Sequence, residues 1–195
     1  MIKRTVAMAL ALAGMPVVAA AQDRATMESL AEQRERIDAF DWADGIWRGT
    51  AVYEMNGNKG ELVQVERVGD FLDGSVKIVE GRGYVEAMGR SVFNALGIIK
   101  WHPELQEYRF HTFAQGHAAV HPVALQANGY DWWIELPNSG RTLYETRVVD
   151  GVWREIGYNV VADGRKAQFF EMILTRVADT ADWPGPVPMD VGQDD

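Results

Sequence analysis

With no cysteine in its 195 residues, this sequence must do any chemistry with carboxylates, tyrosines, serines or histidines. Thiol nucleophiles, thiolate metal ligands and disulfides are excluded at once. Ser75, Ser91 and Ser139 stand in no Gly-x-Ser-x-Gly elbow and have no histidine beside them, so nothing points to an acyl-transfer triad. Gly81, Gly83 and Gly89 lack the G-x-G-x-x-G spacing of a nucleotide loop. His102, His111, His117 and His121 match no standard metal-ligand pattern, so neither a metal nor a cofactor is expected. Two groups keep a chemical opportunity: Glu155 in "DGVWREIG" and Tyr144 in "TLYETR". A carboxyl drawn into an apolar interior titrates high, which would make Glu155 an acid, a base or an anchor for a ligand. The same carboxyl could equally be satisfied by Thr146, an inward arginine or trapped water.

Whether Glu155 points inward depends on the elements that carry it. Between Ile46 and Val177 the turn signals are Asn56-Gly57, Asp73-Gly74, Asn128-Gly129, Asn138-Ser139-Gly140, Asp150-Gly151 and Asp163-Gly164. Such pairs tolerate positive φ and mark hairpins. From Asn128 they recur every 10 to 13 residues, one strand plus one turn. The spacing predicts an all-β fold, an up-and-down antiparallel β-barrel of about ten strands. One helix over residues 22–39 precedes it, with Met27, Leu30, Ala31 and Ile37 on a stripe opposite "EQRER".

Turn positions set register, and register sets which side chains share a face. The turns place Leu125 opposite Trp132, Val123 opposite Ile134, Ile134 opposite Tyr144 and Trp132 opposite Thr146. Further on, Thr146 faces Glu155, Val148 faces Trp153, Glu155 faces Met172 and Gly157 faces Phe170. One face thus gathers Leu125, Trp132, Ile134, Leu136, Tyr144, Trp153, Phe170 and Met172 around Glu155, and the other carries an Asp131, Arg147, Arg154 row. Unpaired buried charge costs several kcal/mol, so the first face is the interior. Thr142, Asn159 and Gln168 lie toward its far end, and Tyr53 joins it if Trp47 is inward. The face of the strands from Val63 to Val85 is left open. Gly157 in an interior row either lets two rings meet or leaves room for a guest.

Residues 1–21 carry Lys3 and Arg4 before an apolar run from Val6 to Val18, then Ala19 and Ala21, the form of a secretory signal cleaved near Ala21. No segment suits a spanning helix. The expected domains are this signal, the helix, a barrel over 40–177 and a flexible acidic tail over 178–195. Removing the signal takes the net charge from −9 to −11, which argues against nucleic acid and anionic lipid as partners. A periplasmic location is the expectation.

Gly45-x-Trp47 opening the first strand, the meander, and Arg176 near the end of the last strand resemble the calycin group of barrels, which includes lipocalins and fatty-acid-binding proteins. That resemblance implies that Trp47 packs across the closed end with Arg176 over it. A guanidinium on an indole is favourable by roughly 0.5–2 kcal/mol. More closely, "FDWADGIWRGTAVY", "ERVGDFLDG", "DGVWREIG" and "FFEMILTR" resemble an uncharacterised bacterial family of exported lipocalin-like barrels, a domain of unknown function, over about residues 40–177. Haem-binding barrels of the nitrobindin kind open similarly but ligate iron through a histidine near the C-terminal end, and this chain has none after His121. The expected function is binding of a small, largely apolar molecule in the interior. Its candidate contacts are Tyr53, Trp132, Ile134, Tyr144, Glu155, Gly157, Phe170 and Met172. The alternatives are a small enzyme using Glu155 and Tyr144 as acid/base groups, and a packed barrel docking through Trp133 and Tyr158 on its outer face.

Overall fold

Gln115-Gly116 and Asp150-Gly151 both take positive φ, the two-residue turn whose twist matches that of the strands it joins. Antiparallel hairpins join successive strands throughout the computed structural model, which describes residues 15–55, 57–85, 89–137 and 139–180. The strands are β1 (Gly45–Met55), β2 (Asn58–Phe71), β3 (Val76–Val85), β4 (Arg90–His102) and β5 (Glu107–Ala114), followed by β6 (His117–Gln126), β7 (Gly129–Glu135), β8 (Arg141–Val149), β9 (Val152–Val160) and β10 (Lys166–Ala178). Each pairs antiparallel with the next, and β10 returns to β1 to close a ten-stranded barrel. Closure leaves no free sheet edge.

Ahead of the barrel, α1 spans Met15–Ile37 and runs into a 3-10 segment at Asp38–Ala43. The helix thus starts within the stretch read as a signal, whose first 14 residues lie outside the described ones. No described helix is long and apolar enough to cross a membrane. At the other end the chain is held beyond the expected start of the tail: Ala178 pairs with Ile46, and Thr180, buried, donates to the Val68 carbonyl at 2.6 Å. The rest of the tail, 181–195, falls outside the described residues.

Helix and 3-10 segment together plug one end of the barrel. Ile37, Phe40 and Ala43 are buried there against Trp47, Trp153 and Tyr130. Arg36 lies over the Trp101 ring, whose indole N–H donates to Glu32, while the Tyr108 hydroxyl donates to the Arg36 carbonyl. Trp47 meets Trp153 edge-on at 5.5 Å and donates its indole N–H to the Ala43 carbonyl at 2.7 Å. Its strand partner on β10 is Arg176, whose guanidinium sits 4.9 Å from the ring centre and donates to the Trp42 carbonyl. Lys77, with no exposed side-chain surface, places Nζ 2.9 Å from Asp41, 2.8 Å from Asp44 and 2.5 Å from Asp70.

The expected register holds on β8 to β10 and shifts earlier. Thr146 faces Glu155, Val148 faces Trp153, Glu155 faces Met172 and Gly157 faces Phe170. On β6 to β8, however, Val123 faces Trp132, Trp132 faces Tyr144 and Ile134 faces Thr142, each displaced by two residues from expectation. The first displacement arises because Ala127 and Asn128 form the turn and Gly129 already belongs to β7. Gly129 is needed for close approach: a β-carbon there would lie 1.9 Å from the Thr146 carbonyl oxygen. A shift of two preserves the face, so the apolar set stays inward. Leu125 and Leu136, expected in the interior, are exposed beside the turns.

Candidate functional site

The inward row of β9 and its neighbours builds the centre of the barrel. Thr146 donates to Glu155 Oε2 at 2.5 Å, Trp132 donates a second hydrogen bond to the same carboxyl, and Tyr130 bonds Thr146. Trp132 stacks on Tyr144 with ring centres 4.2 Å apart and planes 7° from parallel. Phe110 meets Trp132 edge-on, and His121 leans on it while bonding Thr112 at 3.1 Å. Directly paired aromatic rings of this kind stabilise a sheet face beyond simple burial.

Every residue expected in the site does project from the inner face, though not always beside the partner foreseen. Tyr53 pairs with Phe170 and Gly60 and lays its ring over Gly60, where a β-carbon would come within 2.3 Å of it. Met172 is buried against Ala51 and Glu155. The space above Gly157 is taken by two phenylalanines: a β-carbon there would stand 2.9 Å from Phe170 and 3.0 Å from the Phe169 ring. A bulge between Gln168 and Phe170 turns Phe169 inward onto Tyr144 and leaves Gln168 exposed beside Tyr158, correcting the expectation that Gln168 faces the interior. Beside this bulge and the β1–β2 hairpin a recess of about 530 Å3 opens, lined by Tyr53, Gly60, Phe169 and Phe170 together with outward neighbours.

Glu66 completes the site. From β2 it faces Trp47 on β1 and Gly81 on β3, is 8% exposed, and accepts a bond from Gln64 Nε2 at 2.7 Å. Burial pushes its pKa up to about 8 against the pull of that bond, with repulsion from Glu155 and Glu80 adding to the rise. Burial likewise raises Glu155, against the bonds from Thr146 and Trp132. Tyr130 and Tyr144 are raised by burial and then by the neighbouring acids, and burial lowers His121. Two carboxyls and two phenols thus project into the barrel, each shifted by burial toward its neutral form.

The asymmetry along the axis is plain in the exposure of inward residues. At the plugged end Trp47, Val68, Trp153 and Leu174 are buried; further along, Trp132, Ile134, Tyr144, Glu155 and Phe170 are only part-buried; and at the far end Ala119 and Asn159 are exposed.

The remaining chemical residues lie elsewhere. His111 pairs with Val120 and His121 with Phe110, so the two histidines face opposite sides, and His111 instead stacks on His102 outside. The carboxylate oxygens of Asp41, Asp44 and Asp70 lie within 4.8 Å of one another, spacing that would suit a cation. The Lys77 ammonium occupies that position. On the outer face Trp133 and Tyr158 flank buried Leu143, with Arg141 over the indole and Lys166 over the phenol. These rings cover Leu143 and are themselves capped by cations.

Sequence reasoning missed Glu66, Gln64, Tyr130 and Phe169. A signal for Glu66 was present: a two-residue turn at Asn56-Gly57 pairs Met55 with Asn58 and therefore Trp47 with Glu66. No protein-family model matches the chain, and no curated protein matches it at a significant level.

Proposed function

We propose that this protein is an exported, calycin-type barrel, working in the periplasm, that binds a small and largely apolar molecule through the open end of its interior. The observation that carries the reading is the graded exposure of the inner face. Trp132, Ile134, Tyr144, Glu155 and Phe170 point into the barrel yet keep accessible surface, while the plug removes the residues at the other end from solvent. Aromatic walls with a few inward polar groups are what a small-molecule site requires. The Lys3 and Arg4 start, the apolar run after it and Ala19-x-Ala21 support export.

The test is titration of the protein, lacking residues 1–21, with a neutral naphthylamine dye whose emission rises in apolar surroundings. Saturable one-to-one binding, weakened in a Trp132→Ala variant that retains its strand circular dichroism, is the expected result. Absence of any saturable signal with folded protein would remove the reading. Immunodetection of the full chain in a periplasmic fraction tests the location, and retention in the cytoplasm at full length would refute it.

A further inference from the structure

Resting on that reading of the interior, we infer that the polar group of the ligand is a protonated amine, seated against the Glu66 and Glu155 carboxyls with its apolar body along Trp132 and Tyr144.

The inference starts from what the inner face offers to each kind of head group. Glu66 is more than nine-tenths buried, and its Oε1 accepts a bond from Gln64. Glu155 projects from β9 into the same interior, and its charge adds to the rise at Glu66. An anionic head group would need a cation. Among the described residues, the lysine and arginine in phase with the interior below the rim are Lys77 and Arg176, and both are engaged in the plug. His121, between Trp132 and Thr112, is held neutral by burial. A carboxylate or phosphate would therefore enter a site with two acids and no counter-charge, the least favourable burial of the three. A neutral hydroxyl could bond one carboxyl but would leave Glu66 protonated.

An ammonium supplies what both acids lack. It brings three N–H donors and a positive charge, and the surrounding indole, phenol and phenyl faces favour a cation further. The proton balance is explicit. The protonated Glu66 carboxyl and an alkylammonium become a carboxylate and a bound ammonium, and one proton leaves to solvent. The other titratable groups near the pair do not interfere. Tyr130 and Tyr144 are held neutral, and Glu80 lies on the outer side of β3 bonded to Arg67 and Arg82. Because Glu66 must ionise, amine affinity should climb as pH rises toward about 8 and fall again as the amine itself loses its proton near ~10.4.

Three probes with the same decyl chain separate the cases: decylamine, decanol and decanoate, each displacing the naphthylamine dye at neutral pH. Decylamine is expected to bind about tenfold or more tighter than decanol, the equivalent of one charge-assisted bond, and decanoate weakest. Glu66→Gln and Glu155→Gln, which keep shape and remove charge, should each lower decylamine affinity about tenfold and leave decanol within about twofold. Calorimetry in two buffers of different ionisation enthalpy should show a proton released on decylamine binding and none on decanol binding. If the dye binds but decanol or decanoate matches decylamine, or both Gln variants keep full decylamine affinity, this inference is wrong while the cavity reading stands. If neither the dye nor any decyl probe binds the folded protein, both fall.

Discussion

The Glu66 carboxyl rests on the bare α-carbon of Gly81, its partner across the β2–β3 pair: a β-carbon at Gly81 would stand 2.8 Å from Oε1 and 2.9 Å from Oε2. The glycine makes the space in which a buried acid can lie flat against the wall. Gly81→Ala should therefore push the carboxyl out of place and destabilise the barrel by about 1–3 kcal/mol, as other overpacking changes do. In a Glu66→Ala background the same change should cost far less, because the crowded partner is gone. Urea denaturation of the four proteins gives the coupling, and additive losses would show that Gly81 serves some other purpose.

The titration of Glu66 makes a prediction about pH. Its pKa rises from an ordinary 4.5 in the unfolded chain to about 8 in the folded protein. Between those values the folded state holds a proton that the unfolded state has released. Its contribution is fully present below about 4.5 and is lost as pH rises through about 8. Glu155, raised in the same direction, adds to the slope. Stability should then decline from pH 5 to pH 8, by an amount on the order of 4 kcal/mol if Glu66 acts alone. Glu66→Gln should flatten most of this decline and be the more stable protein at pH 8. Parallel curves for the two proteins would mean that Glu66 titrates normally.

Legibility varied along the chain with the kind of turn. Asp150-Gly151 places its residues at positive φ as the rule assumes, and every pair foreseen on β8 and β9 is found. At Gly129 the glycine answers the nearness of the Thr146 carbonyl instead, a long-range cause that local sequence does not display. The Phe169 bulge is similar, since an extra inward ring breaks the alternation on which face assignment depends. Glu66 was legible through the Asn56-Gly57 turn, but that register was left open and the second acid of the interior went unseen. Trp47 with Arg176 was readable because barrel closure forces the first strand beside the last.

Lys77 supports the plug through charge. Burial works against its charged form, yet hydrogen bonds to Asp44, Asp70 and Asp41 outweigh that and raise its pKa. Replacing it with methionine leaves three carboxylates facing one another around a buried alkyl chain. Loss of one partner from a buried ionic cluster costs about 3–5 kcal/mol, and Lys77→Met should fall in that range by denaturant unfolding. Asp41→Asn, at the partner whose side chain is 55% exposed, should cost well under half as much. If the two variants lose equally, the ammonium is not what holds the cluster.

The aromatic side of the plug is tested at Trp47 and Arg176. Trp47 is 1% exposed and fixed by the Ala43 carbonyl, the Trp153 ring and the Arg176 guanidinium. Truncating it empties the space between the 3-10 segment and the barrel wall, so Trp47→Ala should destabilise by about 3–5 kcal/mol. Arg176 has a different balance, because much of its side chain meets solvent and its contribution is the contact with the ring and the bond to the Trp42 carbonyl. Arg176→Ala should cost about 1–2 kcal/mol, with a cation–π share of roughly 0.5–1 kcal/mol at a site of this exposure. The double variant should be less destabilised than the sum of the two by about that share, since the contact can be lost only once. Equilibrium unfolding of the cycle measures the difference. Strict additivity would mean that the arginine merely lies near the indole, while a Trp47→Ala loss below about 1 kcal/mol would show that the end of the barrel is closed by the helix alone.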